Sequence, residues 1–127
     1  YLINYKSIIG ISDKHKNKSD LLILELKGQL FYGNLTYFKS FINKKTINPP
    51  FLKTLIFDIE NLYHIDSSGS NTLCEIIKKL NKKNIRVMIS GFNKNKKDIK
   101  FDNNLISCIK KDNIVISTGN ALNKLNT

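Results

Sequence analysis

The residues best suited to chemistry are Asp66-Ser67-Ser68-Gly69, a carboxylate, two hydroxyls and a glycine in immediate succession. An apolar run, Thr54 to Ile59, lies upstream. Downstream, Leu73, Ile76, Ile77 and Leu80 recur at helical spacing, with Lys78, Lys79, Lys82 and Lys83 on the other side. That pattern is an amphipathic helix, and the four residues open it. The first backbone N–H groups of a helix have no partner within it, which gives the tetrapeptide three uses. Asp66 and Ser67 could simply cap those groups. A phosphate placed on Ser68 would sit where the helix dipole favours negative charge by roughly 0.3–1 kcal/mol. Alternatively Asp66, Ser67, Ser68 and Gly69 could contact an anion or a nucleotide phosphate, with Gly69 letting a partner's backbone approach closely.

Catalysis fits these residues poorly. A serine nucleophile needs a positioned base; His64 is near, but belongs to the loop entering the helix and has no evident orienting partner. The Gly-x-Ser-x-Gly elbow is missing, and Gly28 and Gly33 are not followed by the Gly-Lys-Ser/Thr of a phosphate-binding loop. Cys74 and Cys108 share no metal-ligand spacing with each other or with His15 and His64. Both have apolar neighbours on expected helices, so buried reduced thiols are expected. No catalytic residue, metal site or cofactor is expected.

Four strands are expected at Leu21–Lys27, Thr54–Ile59, Ile85–Ser90 and Asn113–Ser117, each short, apolar and flanked by polar residues. Their starts lie 33, 31 and 28 residues apart, the length of a strand–helix–strand unit. The first intervening helix should begin near Asn34, a good N-cap, bury Leu35, Phe38, Phe41 and Ile42, and end before Asn48-Pro49-Pro50. The second follows Asp66. The third should run from about Asp102 to Lys111, with Leu105, Ile106 and Ile109 inward. A short fourth follows Thr118 and buries Ala121, Leu122 and Leu125. Tyr5–Ser12 adds an edge strand; Asp13–Asp20 and Asn93–Lys100 read as polar loops. The class is α/β, with a mostly parallel or mixed sheet of four or five strands and about four helices.

At 127 residues with 41% hydrophobic content, the chain forms one domain with one core. No apolar run reaches the roughly 18–20 residues of a membrane helix, and no signal sequence opens it. It starts Tyr1-Leu2-Ile3 rather than with Met, which suggests a segment cut from a longer chain. The net charge of +11 raises nucleic acid as a partner. Against that, 20 lysines accompany the lone Arg86, and Arg is the usual residue for bidentate base and phosphate recognition. Lys, Asn and Ile make up 56 of the 127 residues, which looks like the coding bias of an AT-rich genome. Solvated lysines, or a basic surface against anionic headgroups, account for the charge without specific nucleic-acid binding.

The succession Phe57-Asp58-Ile59, Glu60 to Ile65, then Asp66-Ser67-Ser68-Gly69 and its helix resembles the central motif of STAS domains. The Lys83–Gly91 segment is similar to the strand that follows it there, and the likeness spans about residues 21–125. Ser68 matches the position phosphorylated in the stand-alone members, the anti-sigma-factor antagonists. Leu24 to Asn34, with Leu30-Phe31-Tyr32-Gly33-Asn34 entering the first helix, is instead similar to the STAS domains of SulP anion transporters. It departs from them at Gln29, where they often carry Pro; its short Lys44–Lys53 connection resembles a compact version without the long insertion common in animal members. The resemblance implies a regulatory, non-enzymatic domain on the cytoplasmic face of a membrane, within an integral membrane protein. Its partners would be the membrane domain of the same chain, a second copy, and a nucleotide or regulatory protein. A stand-alone phospho-switch is the alternative it implies.

Overall fold

The computed structural model describes residues 9–13, 20–30, 32–47, 52–92 and 103–125. Its centre is strand β2 (Leu21–Leu30), beside β3 (Thr54–Asp58) and β5 (Arg86–Ser90). All three run parallel, with Leu21 opposite Thr54 and Thr54 opposite Arg86. Alternation along β2 sends Leu22, Leu24 and Leu26 to one face and Ile23 to the other. Both faces are covered, which explains why these strands are apolar almost throughout.

Helix α1 (Leu35–Ile47) and helix α2 (Ser67–Lys82) cover the first face together with α3 (Asn103–Cys108). Phe38 and Ile42 from α1, Leu73, Ile77 and Leu80 from α2, and Leu105 from α3 join the strand residues in one core. The second face carries a smaller cluster of Ile23, Ile56, Met88 and Val115, closed by Ala121 of α4 (Thr118–Leu125). Leu122 and Leu125 are half-buried beside it. The mixed α/β class stands, with four α-helices among the described residues. No helix is long and apolar enough to cross a membrane among those residues.

Several boundaries differ from the expected ones. The edge strand, β1, spans Ile9–Asp13 and pairs antiparallel with β2; Tyr5–Ile8 lie outside the described residues, as do 14–19 and 93–100 of the expected polar loops. Strand β2 runs three residues past Lys27 because it gains a partner there. Leu62–Ile65, expected as loop, forms β4 and pairs parallel with Gly28–Leu30. The register shifts at Gly28, whose φ of 87° takes the bulge with no side-chain clash. Four residues are too few for periodicity to distinguish from loop.

The last strand shrinks to β6, Ile114–Val115. Its expected ends are claimed by other structure. Lys111–Asn113 form a 3-10 turn whose Asn113 Oδ1 accepts from Arg86 Nε at 2.9 Å, and Ser117 Oγ accepts from Asn120 N–H at 3.1 Å to start α4. Helix α3 likewise ends at Cys108 instead of Lys111, because Ile109 turns into the core and Lys110 is extended.

The cysteines do not remain separate thiols as expected. Cys74 on α2 and Cys108 on α3 are joined in a disulfide, with Cα atoms 5.6 Å apart. Both expected positions were right, on helices and buried. Sequence spacing could not show that α2 and α3 pack side by side with these two faces together.

Candidate functional site

Asp66 stands between β4 and α2 in extended conformation, and its Oδ1 accepts from Gly69 N–H at 2.7 Å. Its carbonyl accepts from Ser70 N–H at 2.9 Å. It is therefore the N-cap, and its carboxylate already brings negative charge to the helix start. Ser67 is exposed and Ser68 half-buried. Neither hydroxyl has a hydrogen-bond partner among the described residues.

Gly69 is buried against the end of β2. A Cβ there would lie 2.5 Å from the Leu30 carbonyl oxygen and 3.1 Å from Ile65 Cγ1. The close approach this glycine permits is thus made by the chain's own backbone. Asp66 N–H donates to that same Leu30 oxygen at 3.2 Å, and Leu30 is in register with Ile65. The start of α2 is fastened to the last residue of β2.

Tyr32–Asn34 form a 3-10 turn ahead of α1. Asn34, expected as the N-cap, directly precedes α1 and is buried, and its Nδ2 donates to Gln29 O at 2.7 Å. This clamps the strand–helix corner. Phe31 lies outside the described residues. The two segments carrying the family likeness, Leu24–Asn34 and Asp66–Gly69, therefore meet at one corner of the fold.

Sequence reasoning missed a polar row beside this corner. Glu25 and Asp58 are in register across β2 and β3, and Asp58 and Ser90 across β3 and β5. All three are buried, on the face of Ile23, Ile56 and Met88. Glu25 Oε2 accepts from Asn61 Nδ2 at 3.0 Å, and its Oε1 lies 3.4 Å from Lys27 Nζ. Asp58 Oδ1 accepts from Glu60 N–H at 3.0 Å, closing the turn into β4. The Ser90 and Thr118 hydroxyls share a hydrogen bond of 2.8 Å. The available signal was the charge at Glu25 inside Leu24-Glu25-Leu26, which alternation assigns to the face opposite the leucines.

His64 lies on β4, opposite Gln29 and half-buried. Among the described residues no group of three His, Cys, Asp or Glu side chains is placed to hold a metal.

Several solved structures share this architecture. The crystal structure of a sulfate transporter family protein from Wolinella succinogenes is 17% identical over 91% of this chain and 92% of its own, with a TM-score of 0.73. A putative anti-sigma factor antagonist from Thermotoga maritima is 16% identical over 98% of this chain and 99% of its own, at 0.72. The murine Solute Carrier 26 family member A9 anion transporter, in its inward-facing state, is 15% identical over 87% of this chain but only 18% of its own, at 0.71. These identities establish a shared fold. No curated protein sequence matches the chain significantly. The model of the STAS domain matches residues 13–114, covering β2 to the start of β6 and so the whole corner built by Leu30, Asn34, Asp66 and Gly69. The chain belongs to the STAS domain family.

Proposed function

We propose that this STAS domain is the cytosolic regulatory and interaction module of a SulP-type membrane anion transporter. The observation that carries the reading is the corner where β2 passes into α1. In the segment resembling the SulP entry, Asn34 bonds back to Gln29, and Leu30 supplies the backbone against which Asp66 and Gly69 start α2. A change at this corner would be felt at once by β2, α1 and α2, which suits a module that transmits a signal to an attached domain. Its first partner in this reading is the membrane domain of its own parent chain. A second copy, a nucleotide or a regulatory protein could act on it as well. STAS domains are regulatory and interaction domains, and no catalytic role is proposed for any residue.

The test is the state of the native gene product. Antibody to this domain should detect in fractionated cells a protein several times larger than 14.6 kDa that needs detergent for extraction. A band near the size of the chain, released without detergent, would overturn the reading.

One observation favours a second reading, a stand-alone phospho-switch. Ser68 occupies the second position of α2 and its hydroxyl is not engaged by any described residue; it also matches the antagonists' phosphorylated position. Phosphate there would gain from the helix dipole but meet the like charge of Asp66. In either reading Ser68 is the proposed regulatory position, with Asp66, Ser67 and Gly69 shaping the anion's surroundings. The Ser68→Asp variant should leave the domain folded and change the regulation of the full-length protein. An unfolded variant or an unchanged parent would count against that role.

A further inference from the structure

Among the described residues, charge is distributed unevenly between the two edges of the parallel sheet. Both long helices begin at the C-terminal edge of the parallel strands and end at their N-terminal edge. The first edge gathers Glu25, Asp58, Glu60 and Asp66. The second gathers Lys53, Lys82, Lys83, Arg86, Lys110 and Lys111, all exposed, against two carboxylates, Asp20 beside Lys53 and Asp112 beside Lys111, so that cations exceed anions there by four. Lys53 and Arg86 adjoin at the strand starts, where Arg86 N–H donates to Lys53 O at 2.8 Å. The Arg86 guanidinium bonds to Asn113, bringing the Lys110–Asn113 turn alongside. Lys82 and Lys83 lie at the last turn of α2, which bends directly into β5.

Compensation of helix dipoles accounts for Lys82 and Lys83. It does not account for Lys53, Arg86, Lys110 and Lys111, which sit on strand starts and a loop. Among the described residues none of the six forms an ion pair with a carboxylate. An open cleft of about 610 Å³ lies at this pole, with Asn81, Asn84, Arg86, Lys110 and Asp112 among its lining residues.

We propose that the basic pole is a docking surface for an anionic phospholipid bilayer. The composition of the pole selects that partner. Lysines act as compact, hydrated point charges suited to a field of headgroups, each worth about a fivefold gain in binding near an anionic surface. Base readout would call for arginine forks, and single strands for exposed aromatic platforms; the pole has one arginine, already held by Asn113, and none of the described residues lining its cleft is aromatic. Docking by this pole turns the Asp66–Gly69 corner away from the membrane, where a kinase or protein partner reaches it. The inference does not depend on the transporter reading.

The test uses the 127-residue chain and sedimentation with vesicles of phosphatidylcholine, with or without about one third phosphatidylserine, at about 0.1 M salt. The chain should partition onto the anionic vesicles only. K82Q/K83Q should weaken partitioning roughly ten- to thirtyfold, about fivefold per lysine. T36E/S40E changes the net charge equally on the exposed side of α1, away from the pole, and should cost under about twofold because screening confines the effect to nearby charges. Unchanged circular dichroism would establish that both variants fold. No partitioning, equal losses in the two variants, or tighter retention of a single-stranded oligonucleotide at the same salt would each overturn the proposal. Failure here leaves the transporter reading intact, because detergent extraction of the parent decides that separately. A parent extracted without detergent would likewise leave the vesicle result standing.

Discussion

At the scale of single residues, Asp66 and Gly69 answer to different forces although they sit three positions apart. Asp66 contributes a charge-assisted hydrogen bond to Gly69 N–H. Asp66→Ala should therefore lower stability by about 1 kcal/mol, while Asp66→Asn retains most of it; urea unfolding would measure both. Gly69 contributes the absence of an atom. Replacing a helical glycine by alanine ordinarily stabilises by about 0.5–1 kcal/mol. Here the new Cβ would meet the Leu30 oxygen, a backbone atom that cannot swing aside. Gly69→Ala is expected to destabilise by about 1–3 kcal/mol, and a rise in melting temperature would show that β2 and α2 are not fastened at this point. The capping role of Asp66 was legible from its place before an amphipathic run. The role of Gly69 was not, since the oxygen it accommodates is 39 residues earlier in the chain.

At the scale of elements, α3 is the least secured piece of the first layer. It has six residues, fewer than a helix can sustain on its own in water. Leu105 and Ile109 anchor it through the core, and the Cys74–Cys108 bridge ties it to α2 across 34 positions. Closing a loop of that length removes unfolded-state entropy worth up to about 4 kcal/mol. Reduction should lower the unfolding free energy by about 2–4 kcal/mol, seen as a lower melting temperature with reductant, and C74S/C108S should melt alike with or without it. Reductant-insensitive melting of the natural chain would sink the expectation. A cytosolic setting keeps thiols reduced, so there the domain would operate at the lower stability. Helix α2 was legible almost residue by residue because one strong amphipathic period defines it. Strand β4 and the shortened β6 were not, because their limits are set by which neighbours remain to be paired.

At the scale of the whole molecule, charge and topology act together. A net charge of +11 on 127 residues repels itself most where the N-terminal edges of the strands and the ends of α1 and α2 crowd the cations. Added salt screens that repulsion. The melting temperature should rise by several degrees between low and high salt, each kcal/mol being worth about 4 °C in a domain of this size. A flat or falling profile of melting temperature against salt would mean that the crowding costs little. The direction is opposite to that expected for a protein held together by surface ion pairs such as Lys39–Glu75.

The amino-acid sequence by itself determined the class of the fold, the order of its main strands and helices, and the start of α2. Those features follow from local period, capping chemistry and the spacing of apolar runs, all of which act over a few tens of residues. It also carried, in two separate segments, the marks of its family. Tertiary structure alone decided that these segments form one corner, that Cys74 meets Cys108, that Glu25, Asp58 and Ser90 line up across three strands, and that six of the described cations gather at one pole. Each of these depends on strand register and helix direction, which bring together residues far apart in the chain through contacts that no local pattern encodes.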